Sequence, residues 1–230
     1  MTTSTNEHRA AKNGKPELYF LPDDYEARWV FGGGKGGTVK TTSAIHSGII
    51  CARTGKTLVV DADPRSQSAQ RWAVTYQQTT QKEPPFTVIQ WTTDGLADGV
   101  RRLARDGGFK HVLIDVGGET ERLYRQALRL ADELILPITP SGIELVTLNA
   151  SIAAAEEVAA EQDREIGAQV LFARSDRRTD ELNDAIELAK HYEWPYLDTV
   201  IPYQKRYRCF GNFPSDAGEY ENAIPEVVGE

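Results

Sequence analysis

Apolar positions in this chain follow two rhythms in turn. Short contiguous runs, often β-branched, alternate with stretches in which apolar residues return at helical spacing. Arg28-Trp29-Val30-Phe31 is the first run, and Gly32 to Gly37 punctuates it. From Thr41 to Arg53 the residues Ala44, Ile45, Ile49 and Ala52 share one helical face. The same alternation predicts strands over Thr57–Val60, Phe86–Gln90, Lys110–Asp115, Glu133–Ile138, Ala168–Ala173 and Asp198–Ile201. It predicts helices near Ser66–Val74 and over Thr92–Arg105, Thr120–Ala131, Ile143–Gln162 and Thr179–His191. Strands that alternate with helices imply an α/β fold, with a mainly parallel twisted sheet flanked by helices on both faces. Pro84-Pro85, Pro137 and Pro140 mark turns, and no internal repeat or heptad seam is present.

The first strand–loop–helix unit carries candidate chemistry. The loop and helix start read Gly34-Lys35-Gly36-Gly37-Thr38-Val39-Lys40-Thr41-Thr42. Glycines let backbone N–H groups turn toward one anion, and a helix N-terminus adds unpaired N–H groups and partial positive charge. Lys40 is placed to reach the β- and γ-phosphates of a nucleotide, and Thr41 to hold Mg²⁺. A phosphate loop of this length usually has glycine directly before that lysine, and here Val39 stands there. Lys35 is a second lysine at the loop entrance, and it points to a charge meant for a nucleotide on another subunit.

Two acidic strand ends follow in order. Leu58-Val59-Val60-Asp61-Ala62-Asp63-Pro64 ends a buried strand with two carboxylates at the end where open α/β sheets bind ligands. Asp63 can orient a water against the γ-phosphate, and Asp61 can support the metal's hydration shell. Lys110 to Glu119 is a hydrophobic strand ending in Asp115, then Gly117 and Gly118. Asp115 fits the metal-side carboxylate of phosphate-loop enzymes. Mg²⁺ keeps several waters, so one hydroxyl and one carboxylate suffice.

These segments resemble the ParA/MinD class of P-loop ATPases, most closely the small ParA-type plasmid partition proteins. The resemblance rests on Lys35 to Thr42, Val60-Asp61-Ala62-Asp63-Pro64, Ile114-Asp115-Val116 and Leu136-Pro137-Ile138-Thr139-Pro140-Ser141. It runs from about Trp29 to about Ile224. It implies a single-domain P-loop ATPase that uses ATP and Mg²⁺ and forms an ATP-bound homodimer. In that dimer Lys35 crosses the interface, and Asp63 is the hydrolytic acid. Arg174 and Pro202 fall where such proteins line the adenine pocket. A DNA-contacting arginine falls on Arg206, within the cluster Lys205-Arg206-Tyr207-Arg208. Nonspecific DNA and a centromere-binding, ParB-like adaptor are the implied partners. The family usually has glutamine after the Asp-Pro pair, where this chain has Arg65.

Composition and charge bound this reading. A chain of 230 residues, 40% hydrophobic and 26% charged, suits one folded domain. That domain is expected over residues 26–230, after a flexible extension over 1–25. The net charge of −8 means that DNA would need a local basic surface. Arg122, Arg125 and Arg129 share one helical face and are a second candidate, or a solvated face. Cys51 and Cys209 are too few for a disulfide framework. No secretion signal or membrane-spanning run is present, so a cytoplasmic, nucleoid-associated protein is expected. A MinD-like membrane switch would need a basic amphipathic end, and Ala223 to Glu230 is acidic and interrupted by Pro225. An ATPase that positions a protein cargo and a non-hydrolysing nucleotide-gated module remain as alternatives.

Overall fold

The computed structural model describes residues 18–33, 39–117, 121–176, 178–207 and 217–229. In chain order the elements are β1 (Arg28–Phe31), α1 (Lys40–Cys51), β2 (Thr57–Asp61), α2 (Ser68–Thr80), β3 (Thr87–Gln90), α3 (Leu96–Gly107) and β4 (His111–Asp115). Then come α4 (Glu121–Leu128), β5 (Glu133–Ile138), α5 (Gly142–Leu145), α6 (Leu148–Glu161), β6 (Gly167–Phe172), α7 (Asp180–His191) and α8 (Tyr220–Val228). Six strands form one sheet in the order β3-β2-β4-β1-β5-β6. Every pairing is parallel, as the alternation of strands and helices predicts.

The strand side chains divide between two apolar layers because successive residues point to opposite faces. Val30, Leu58, Val60, Val112 and Ile114 pack with α3, α4, α6 and α7. Trp29, Phe31, Val59 and Leu113 pack on the other face with α1, α2 and α8. The same parity turns Asp61 and Asp115, both at strand ends, toward the α1 face. β1 lies between β4 and β5, so the loop that leaves it opens at the centre of the sheet.

Two sequence expectations change, and two terminal segments pack on the body. The helix expected over Ile143–Gln162 is two, α5 and α6, and the break leaves Val146 exposed while Leu145 and Leu148 both turn inward. The strand expected over Asp198–Ile201 is reduced to isolated bridges, Val170 with Tyr196 and Ala173 with Ile201. Between those bridges Thr199 N–H and its hydroxyl bond the Glu226 carboxylate at 3.1 and 2.5 Å, so that stretch leaves the ladder. The acidic, proline-containing end forms α8 with Pro225 inside it, held by burial of Tyr220, Ala223, Ile224 and Val227. Of the extension expected over 1–25, residues 1–17 lie outside the described residues, while Tyr19 to Tyr25 packs on the body. There Leu21 is buried, and the Tyr19 N–H donates to Glu221 at 2.9 Å. Cys51 is a buried free thiol, and Cys209 lies outside the described residues. Among the described residues no helix is long and apolar enough to cross a membrane.

Candidate nucleotide-binding site

The site forms where β1, β2 and β4 end and α1 begins. Gly33 leaves β1 at φ +78°, a conformation that favours glycine, and a β-carbon there would meet the Leu136 side chain at 2.6 Å. Gly34 to Thr38, including Lys35, lie outside the described residues. Val39 caps α1 at φ −74° and ψ 13°, a backbone any residue adopts. Its side chain is buried in the apolar layer of α1. The departure from glycine therefore carries no backbone strain.

Lys40, Thr41 and Thr42 make the first turn of α1, which holds no acidic residue to mask its positive end. Lys40 is buried, and its charge acts on both Asp63 and Asp115. The Thr41 hydroxyl donates to Asp115 Oδ2 at 2.5 Å. Asp115 and Asp61 are direct partners in the β2–β4 register, which sets two buried carboxylates side by side. Burial pushes Asp115 up to about 7; the Thr41 hydroxyl and Lys40 oppose the rise, and Asp61 and Asp63 add to it. Burial also raises Asp61, against N–H donors led by Gln70.

Asp61 and Asp63 direct their oxygens at backbone donors. Asp61 Oδ1 accepts from Asp63 N–H at 3.2 Å and Oδ2 from Gln70 N–H at 3.0 Å. Asp63 Oδ1 accepts from Arg65 and Ser66 N–H at 2.9 and 3.2 Å, and Oδ2 from the Ser66 hydroxyl at 2.7 Å. Burial works against the Asp63 anion, but Ser66, Arg65 and Lys40 outweigh it and hold the carboxyl below its usual range. Arg65 supplies its backbone to this turn while its side chain is exposed. Of the residues expected around Mg²⁺, Thr41 and Asp115 thus form the hydroxyl–carboxylate pair. Asp61 and Asp63 brace the turn that leads into α2. Gly117 packs against the Asp63 carboxylate, and Gly118 lies outside the described residues.

The other predicted residues lie at the β6 edge and beyond. Arg174 follows the Ala173–Ile201 bridge at φ 55°, and Ser175 N–H donates to Ile201 carbonyl, so Arg174 and Pro202 are brought alongside each other. Lys205 is exposed on a single turn of 3₁₀-helix. Arg206 is partly buried, with its guanidinium 5.5 Å from the Tyr207 ring centroid and close over Gly218. Arg208 lies outside the described residues. The arginine face of α4 is engaged. Arg122 pairs with Asp94 at 2.6 Å, Arg125 with Glu157 and Glu161 at 2.7 and 3.1 Å, and Arg129 with Glu161 at 3.4 Å.

One supporting cluster has no local signature in the sequence. Ser43 and Tyr220 hydroxyls meet at 2.9 Å across a sequence separation of 177. His46 stacks on Tyr220 at 5.0 Å and meets Tyr207 edge-on at 5.2 Å, while its Nδ1–H donates to the Thr42 carbonyl at 2.8 Å. The helix that begins at the phosphate loop is thereby joined to α8 and to the turn that carries Lys205 and Arg206.

Known proteins place this arrangement. Residues 29–211 match the family described as CobQ/CobB/MinD/ParA nucleotide binding domain. The chain is 30% identical over 155 residues to the maintenance of carboxysome distribution protein A of Gloeobacter kilaueensis, an alignment covering 67% of this chain. It spans just under two thirds, 65%, of that relative's length. Its fold matches the MinD cell division protein of Aquifex aeolicus with a TM-score of 0.64 at 16% identity, over 88% of this chain and 97% of that one. It matches a plasmid partition protein of Borrelia burgdorferi with a TM-score of 0.64 at 14% identity, over 89% of this chain and 99% of that one. The doubly wound parallel sheet agrees with these matches, and the chain belongs to the CobQ/CobB/MinD/ParA family of nucleotide-binding proteins.

Proposed function

We propose that this chain is a Mg²⁺-dependent ATPase that acts as an ATP-bound dimer on DNA to distribute a cargo. One observation carries the reading: the Thr41–Asp115 pair at 2.5 Å beside buried Lys40 at the start of α1. A hydroxyl and a carboxylate are hard oxygen donors, few in number, and they fit Mg²⁺. When bound, the ion supplies charge neutralisation at the phosphates. Lys40 holds the β- and γ-phosphates, and backbone N–H groups of Gly34 to Thr42 surround them. Arg174 and Pro202 border the adenine. Asp63, kept anionic by Ser66, Arg65 and Lys40, orients the attacking water. Lys35 reaches the nucleotide of the other subunit, so the γ-phosphate holds two chains together through charge-assisted contacts.

In the dimer, Lys205, Arg206 and Arg208 of both chains form one nonspecific DNA surface. Doubling the phosphate contacts steepens the salt dependence. A ParB-like adaptor stimulates hydrolysis, which releases the dimer from the nucleoid. The likeness to a plasmid partition protein supports a replicon as cargo. A second reading, in which the cargo is a protein assembly, is favoured by the name of the carboxysome-distribution relative.

The test is phosphate release with and without Mg²⁺, joined to duplex-DNA binding in ATP, ADP and no nucleotide across a salt series. Mg²⁺-dependent release and ATP-only, salt-sensitive DNA binding are expected. Lys35→Ala should bind ATP without dimerising or hydrolysing it, and normal turnover in that variant overturns the cross-subunit role. DNA binding that ignores the nucleotide overturns the gated cycle.

A further inference from the structure

A second cleft opens at the end of the sheet opposite the nucleotide site. The N-terminal ends of β1 and β4, the C-terminal half of α3 and the end of α4 enclose about 580 Å³ there. Its floor is apolar, made by Val100, Ala104, Phe109, Val112 and Leu130. Val100, Ala104 and Val112 belong to the core, while Phe109 and Leu130 are only partly buried against it.

Its rim is cationic. Arg28, Arg101, Arg105, Lys110 and Arg129 line the opening, with Glu26 as the one acid among the lining residues. This concentration stands out on a chain of net charge −8. Three of the guanidinium groups are held loosely. Arg101 pairs with Asp98 at 3.0 Å, Arg105 with Asp106 at 3.0 Å and Arg129 with Glu161 at 3.4 Å, all with exposed side chains. Exposed pairs of this kind contribute little to stability and break readily. None of those three acids lines the cleft. The guanidinium groups can therefore turn to an incoming carboxylate and grip it bidentately. Lys110 is different: its ammonium is anchored on the carbonyls of Asp23 and Thr54 at 2.8 and 3.2 Å, which fixes a positive charge at the rim.

We infer that this cleft docks an acidic peptide segment of a partner protein, with apolar side chains on the floor and flanking carboxylates on the arginines. Charge complementarity selects the acidic partner, and the apolar floor selects a peptide over duplex DNA, which presents its phosphate backbone and has no free apolar group to fill it. The cleft lies at the N-terminal strand ends and the nucleotide loop at the C-terminal ends, so both can be occupied together. The inference does not rest on the nucleotide cycle.

The test is fluorescence anisotropy on the full chain with a labelled peptide of Glu-Leu-Glu repeats, without nucleotide and with ATP. Matched Lys-Leu-Lys and Glu-Ser-Glu peptides and a short duplex DNA are the comparison probes. Saturable binding of the Glu-Leu peptide is expected, unchanged by ATP, weakened by salt, and lowered about tenfold or more by the double variant Arg101→Glu/Arg105→Glu. Phe109→Ala, which opens the floor without altering charge, should weaken the Glu-Leu peptide and leave the Glu-Ser peptide unaffected. Equal binding of the Glu-Ser or Lys-Leu peptide overturns the proposal. So does insensitivity to both variants. Displacement of the peptide by duplex DNA with the same arginine dependence also overturns it, and makes the rim a nucleic-acid surface.

Discussion

Gly117 and Asp63 are in contact without room for another atom between them. A β-carbon on Gly117 would lie 2.7 Å from Asp63 Cγ and 2.9 and 3.0 Å from its two oxygens. The segment after β4 and the turn after β2 are therefore one unit, and the orientation of the Asp63 carboxylate depends on the bare backbone opposite it.

Gly117→Ala should accordingly push Asp63 away from its Ser66 and Arg65 donors. ATP affinity is expected to change little, since Lys40 and Thr41 are untouched. With the role proposed for Asp63, turnover is expected to fall about 10²-fold, the scale of an ångström-sized misplacement of a catalytic group. Steady-state phosphate release alongside nucleotide titration separates the two effects. Unchanged turnover would show that Asp63 tolerates displacement.

Val39 stands where a phosphate loop of this length usually has glycine, and the fold uses it. At φ −74° it needs no glycine, and its side chain is buried. Val39→Gly should lower stability by about 1.5–3 kcal/mol, the worth of a buried valine side chain. Urea denaturation without nucleotide measures it. A variant as stable as the parent would mean that Val39 is strained after all.

Arg53, in the turn that follows α1, and Glu221 on α8 clasp the two helices together. The guanidinium donates to both carboxylate oxygens at 2.7 and 2.6 Å and also to the Tyr19 carbonyl at 2.6 Å. The Glu221 side chain is fully buried. Arg53→Ala leaves that carboxylate without its cation and should destabilise by about 3–5 kcal/mol. An apolar replacement of both residues should recover much of the loss. A double-mutant cycle by thermal and chemical denaturation reads the coupling, and additive effects would show that the pair is not coupled.

Glu133 supplies a pH signature away from the nucleotide site. Burial, with help from Asp132, pushes its carboxyl up to about 7, and its Oε2 is buried without a hydrogen-bond partner. The folded state then holds the proton more tightly than the unfolded chain does. The stability this gives is present in acid and is lost as pH rises from about 4.5, the ordinary value, through about 7. Glu133→Gln should match the parent near pH 5 and melt higher than it near pH 8, once the parent's carboxyl is ionised. Parallel melting curves across that range would place the Glu133 pKa near its ordinary value.

Much of the fold and site was legible in order and spacing. The phosphate loop, Asp61, Asp63 and Asp115 are each read from a strand end and the residues beside it. Strand parity then turns both Asp61 and Asp115 to the α1 face. Arg174 and Pro202 were legible only through resemblance, and the bridge between Ala173 and Ile201 is what brings them alongside each other. The basic face of α4 shows the limit. Arg122, Arg125 and Arg129 have the spacing of one shared face, yet packing gives them different partners: Arg125 bridges two acids on α6, Arg122 turns to Asp94, and Arg129 has only a long, exposed pair with Glu161.

The sequence alone determined the α/β alternation, the polarity of the sheet and the candidate residues gathered at the end of β1, because periodicity, glycine placement and strand-end acids act over a few neighbouring residues. Only the tertiary structure decided the rest. It set the strand order that makes Asp61 and Asp115 partners, the approach of Gly117 to Asp63, and the break between Leu145 and Leu148. It made a helix of the proline-containing end and joined Ser43 to Tyr220 across 177 residues. These depend on contacts between distant segments. Local pattern says which face of an element is apolar, but burial against a particular neighbour decides where that face goes.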